Sequence, residues 1–75
     1  MTLEDLLRRQ FPTAPAGDIS GLQVGSFPEW NSLAHFNLLL SIEEAFHLQF
    51  TVDEMSELKS VREIRARLAA AGIAA

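Results

Sequence analysis

The chain has 75 residues, 48% of them apolar, a formal net charge of −4 and no cysteine. Those figures set a single domain over residues 1–75, near the lower size limit for a chain that folds on its own core. They exclude a disulfide scaffold, a thiolate zinc cluster and a cysteine nucleophile, and they argue against nucleic acid as a partner, because that surface calls for clustered Lys and Arg.

Met1 runs directly into a helical pattern with no charged-then-apolar leader, and no apolar run approaches the roughly 20 residues of a membrane span. The expectation is a cytoplasmic protein that does not engage a membrane. Residues 32–59 hold Glu43, Glu44, Asp53, Glu54 and Glu57 against Lys59 alone, whereas Arg62, Arg65 and Arg67 make the C-terminal end basic. An acidic middle suits a basic partner or a solvated surface, and the three arginines read as a solvated helix face.

Thr2 is placed to cap a first helix, with Asp5 three residues on as its capping-box partner. Leu3, Leu6 and Leu7 follow the helical i, i+3, i+4 spacing until Pro12. Between Pro12 and Trp30 lie Pro15, Gly17, Gly21, Gly25 and Pro28, which predict a long irregular connection. Such a length in a small domain is functional or heavily packed, and Ile19, Leu22, Val24 and Phe27 are available to pin it. A second helix starts at Asn31 or Ser32 and runs to about Phe46. Thr51 caps a short third helix, Val52 to about Glu57, whose Asp53 and Glu54 suit a positive N-terminal end. Ser60-Val61-Arg62-Glu63 is a capping box for a fourth, with Val61, Ile64 and Leu68 as its core stripe and Gly72 as its stop. The expected fold is all-α, a small bundle of three main helices and one short helix with a long loop after the first.

At about 100° per residue, the second helix is apolar on two sides. Leu38, Leu39, Ile42 and Phe46 make an ordinary core stripe, and Leu33, Phe36 and Leu40 fall opposite, flanked by Glu43 and Glu44. A helix of that kind is buried all round or presents its second face to a partner. In so small a domain the partner face is the favoured reading.

The run Asn31-Ser32-Leu33, the apolar helix that follows it, Phe46, Phe50, the acidic third helix and Ser60-Val61 together resemble the acyl carrier protein family over roughly residues 28–68. The resemblance implies a discrete carrier that performs no chemistry itself. Ser32, flanked by Asn31 and Leu33, would carry a covalent 4'-phosphopantetheine arm and hold acyl intermediates as thioesters for fatty-acid, polyketide or specialised-metabolite biosynthesis. It implies a phosphopantetheinyl transferase and acyl-loading and acyl-processing enzymes as partners of a monomer, with Leu33, Phe36, Leu40, Glu43 and Glu44 as the docking face. The family motif is Asp-Ser-Leu, and this chain has Asn31 where the aspartate assists the metal-dependent transferase.

Other readings stand beside this one. Asn31-Ser32 could be helix capping alone, and the chain could be a carrier-like interaction module that takes no arm, or a peptidyl or aminoacyl carrier. His35, one turn after Ser32, could act as a base toward it, but no nucleophile elbow, orienting carboxylate or oxyanion loop accompanies the pair. The helical wheel points His35 toward the core, where it would bond loop backbone. A metal site from His35 and His47 lacks further ligands in the pattern. Trp30 is expected to pack the end of the loop against the second helix.

Overall fold

Three hydroxyl side chains and one amide start the helices of this protein. The computed structural model describes residues 1–74, and they contain α1 (Leu3–Gln10), α2 (Ser32–Phe46), α3 (Val52–Glu57) and α4 (Val61–Ala70), with no strand among them. Thr2 Oγ1 accepts the Asp5 N–H at 3.2 Å and the Asp5 carboxylate accepts the Thr2 N–H at 3.0 Å. Thr51 and Glu54 repeat this reciprocal pair before α3. At α4 the box is shifted by one residue. Ser60 Oγ accepts the Glu63 N–H, but the Glu63 carboxylate reaches back to the Lys59 N–H. Ser60 stands opposite Gln23 in an antiparallel bridge whose bonds run from the Val24 N–H to the Lys59 carbonyl and from the Val61 N–H to the Leu22 carbonyl, which joins that segment to the loop.

The far ends are closed as firmly. Gly72 takes φ +77°, and the N–H groups of Gly72 and Ile73 bond the carbonyls of Ala69 and Leu68. This is a Schellman stop, with Ile73 folded back onto the core. At the end of α2, His47 adopts the left-handed conformation, φ 55°, usually left to glycine.

The core takes Leu3, Leu6 and Leu7 from α1, Leu38, Leu39 and Ile42 from α2, and Val61, Ile64 and Leu68 from α4. Full burial of each such side chain stabilises the fold by about 1.5–3 kcal/mol. The closest helix pairing is α1 on α2. The connection between them is packed rather than loose, for it buries Phe11, Ile19 and Trp30 completely. Phe11 stacks on Trp30 at 5.4 Å between ring centroids and meets Phe27 edge-on at 5.3 Å. Leu22, Val24 and Phe27 are half-buried against the same cluster. Arg8 secures the early loop by donating to the carbonyls of Pro15 and Gly17. The radius of gyration, 11.3 Å, matches the value of about 11 Å for a compact chain of this length.

Two expectations need correction. Phe46 is half-buried rather than core, because the last turn of α2 carries it toward the surface. The arginines of α4 are not one solvated face. Arg62 is exposed, but Arg65 donates to Ser20 Oγ, and Arg67 pairs with Glu54 and lies 5.8 Å from the Phe50 ring centre. α3 buries no residue completely, so this pair and the half-buried Met55 and Leu58 hold it in place. No helix among the described residues is long and apolar enough to cross a membrane.

Candidate functional site

Asn31 and Ser32 divide the work at the start of α2. Asn31 is the cap: its backbone is extended and its Oδ1 accepts the Ala34 N–H at 2.9 Å. Ser32 is already the first helical residue, exposed, and its hydroxyl has no hydrogen-bond partner among the described residues. The capping role that could have explained the serine therefore falls to its neighbour, and Ser32 Oγ is free. The first turn of α2 also carries no acid, whereas α1, α3 and α4 carry Glu4 and Asp5, Asp53 and Glu54, and Glu63 in theirs. An anion near Ser32 would meet helix N–H groups without a local carboxylate to repel it.

Ser32 stands on the rim of an open cleft of about 670 Å³ between the first turns of α2 and α3. Its lining is mostly apolar, with Val24, Phe36, Val52 and Met55, and its polar groups are Ser32, His35, Ser56 and Lys59. Val24 is held there because its N–H bonds the Lys59 carbonyl at 2.9 Å. Val52, Met55 and Ser56 share one face of α3 at i, i+3, i+4, a spacing that could have been noticed in the sequence. Lys59, the chain's one lysine, stands in the wall by virtue of the bridge between loop and α4, for which the sequence holds no sign.

The second apolar face of α2 is exposed, with Leu33 at 72% and both Phe36 and Leu40 at 43%. Phe36 joins it to the cleft. Glu44 is exposed on the α1 side, where it lines a smaller hollow with Arg9. The Glu43 carboxylate accepts the Phe50 N–H at 2.7 Å and ties the last turns of α2 to the end of the connection before α3. Of the five docking residues expected, the three apolar ones form a continuous patch beside Ser32, and Glu43 and Glu44 lie at the far end of the helix.

His35 is buried, as its place on the wheel implies. The Trp30 indole N–H donates to Nδ1 at 3.0 Å, and Nε2 meets the Leu58 carbonyl. Both ring nitrogens are thus used, which leaves neither for Ser32 nor for a metal. Burial holds the imidazole below its ordinary pKa, opposed in part by the Leu58 carbonyl and by the charge of Glu63. Compared with protein-family models, curated proteins and solved structures, the chain matches none. The functional reading rests on this site and on the sequence pattern.

Proposed function

We propose that the protein is a small acyl carrier, a bundle of the acyl-carrier kind in which Ser32 bears a 4'-phosphopantetheine arm. The observation that supports this most is the free hydroxyl of Ser32. It is exposed at a helix start already capped by Asn31, and it borders an apolar cleft. The residues suit the group: Ser32 provides the point of attachment, the α2 N-terminus favours the phosphate, and no first-turn acid opposes it. When bound, the arm supplies a thiol on which an acyl group is held as a thioester. The chain's own part is to orient that attachment point and to offer Leu33, Phe36 and Leu40 to partner enzymes. Partners on this reading are a phosphopantetheinyl transferase and the enzymes that load and process the acyl group, met by a cytoplasmic monomer that is itself no catalyst.

Intact mass tests the proposal. After treatment with a broad-specificity phosphopantetheinyl transferase and coenzyme A, the protein gains one phosphopantetheinyl group, and Ser32→Ala gains none. An unchanged mass with several transferases favours the second reading, an arm-free interaction module. That reading has its own support in Asn31, which keeps the cap and lacks the carboxylate of the family motif. A peptidyl or aminoacyl carrier would give the same mass result and differ in the cargo accepted.

A further inference from the structure

We infer that His35 is a positioning residue with a pH-sensitive hold on the start of α2: as a neutral imidazole it ties Trp30 down, and as an imidazolium it releases it. The inference does not depend on Ser32 carrying an arm. It starts from hydrogen-bond direction. An indole N–H can only donate, so His35 Nδ1, 3.0 Å from Trp30 Nε1, is the bare nitrogen of the ring. The single ring proton then sits on Nε2 and is donated to the Leu58 carbonyl. One side chain in α2 thereby joins the last residue of the long loop to the connection between α3 and α4.

A second proton has one place to go. It adds a hydrogen at Nδ1, which then points at the hydrogen of the Trp30 N–H, two donors face to face. The bond from Nε2 to Leu58 survives, since a cationic donor bonds a carbonyl at least as well as a neutral one. The bond to Trp30 does not. Trp30 is fully buried, stacked on Phe11 and beside Phe27, so its N–H finds no replacement without movement of the ring. Two residues later comes Ser32, and between them Asn31 holds the cap. Loss of the Trp30 anchor loosens the segment that delivers Ser32 to the helix start.

The charged surroundings of His35 are few. From α4, Glu63 favours the imidazolium, but its carboxylate is engaged by the Lys59 N–H and the Ser60 hydroxyl. The connection before α4 brings Lys59 to the same cleft. The loop presents the Trp30 ring, with Phe11 and Phe27 behind it, and the first turn of α2 has no acid. Burial therefore dominates, and the release falls below the ordinary histidine range of about 6.5.

The experiment follows the imidazole nitrogens and the single indole N–H of the unmodified full chain by NMR from pH 8 to 4, together with tryptophan emission. At neutral pH, His35 Nδ1 resonates as an unprotonated acceptor. Below pH 6.5 the Trp30 indole resonance and the emission change with the midpoint of His35, and amide exchange at Ala34, whose N–H the Asn31 side chain holds, speeds several-fold once corrected for its intrinsic pH dependence. His47→Gln leaves this transition in place, and His35→Gln removes it. A protonated Nδ1 at neutral pH, or an indole signal that ignores the His35 midpoint, overturns the inference. Should His35→Gln fail to fold, the titration of the native chain decides the matter alone.

Discussion

Asn31 caps α2 with a neutral amide at the position where the family it resembles has an aspartate. Its Oδ1 caps α2 through the Ala34 N–H, and an aspartate oxygen would make the same bond. Asn31→Asp should therefore keep the fold and add about 0.3–1 kcal/mol, because a negative charge is favourable at a helix start that has no acid of its own. Asn31→Ala removes the cap and should cost about 1 kcal/mol. Thermal melts of the three forms check both statements. If Ser32 is modified, time courses of intact mass should also show the Asp form reacting faster, with its restored carboxylate beside the hydroxyl. Equal rates would mean that the amide serves the transferase as well as the acid does.

At the scale of the element, α2 has one face in the core and one outside. Ile42 is completely buried and Leu40 is 43% exposed, although the two are neighbours but one in sequence. Ile42→Ala should cost about 2–5 kcal/mol, since it opens a cavity in the centre of the cluster. Leu40→Ala should cost under about 1 kcal/mol and, if the proposed carrier role holds, weaken delivery of cargo to a partner enzyme. Phe46→Ala belongs between them, because the ring is half-buried. Paired melts and partner assays on the same variants test the division. A Leu40→Ala protein that melts as early as Ile42→Ala would show that this face supports the fold rather than a partner.

Across the whole molecule, the shifted ionisations make stability fall in two stages as pH drops. The folded pKa of His35 is depressed by burial, so the unfolded chain binds a proton more readily than the native one. Its contribution is complete above about pH 6.5 and is lost below it, by up to about 1.4 kcal/mol per pH unit, until the folded pKa is passed. The carboxylates follow. Asp5 is lowered chiefly by the Thr2 N–H, Asp18 by the Ser20 hydroxyl, and Glu54 by the Thr51 N–H and then Arg67. Their contributions are present above the ordinary carboxylate range and disappear as pH falls through their lowered values. Melting temperatures from pH 8 to 3 should decline below 6.5 and again below about 4. In His35→Gln the first decline should vanish and the second remain.

What the sequence determined by itself is local. Thr2, Thr51 and Ser60 start helices because a hydroxyl followed three residues later by a carboxylate satisfies N–H groups within one turn. Gly72 stops one because its φ suits no other residue as well. The two-sided pattern of α2 likewise follows from its period, and the placement of Leu33, Phe36 and Leu40 on the outside follows from the smallness of the core. Tertiary structure decided what spans distant residues. Whether Ser32 capped or stayed free depended on which side chain, Asn31 or Ser32, met the Ala34 N–H. Nothing in the sequence shows that the Glu43 carboxylate bonds the Phe50 N–H, nor that Arg65 and Arg67, on a helix face expected to be solvated, reach Ser20 and Glu54. The Trp30–His35–Leu58 chain joins positions as many as 28 residues apart, between 30 and 58. No periodicity marks such a link, because long-range contacts depend on how the loop folds back on the helices rather than on any spacing within them.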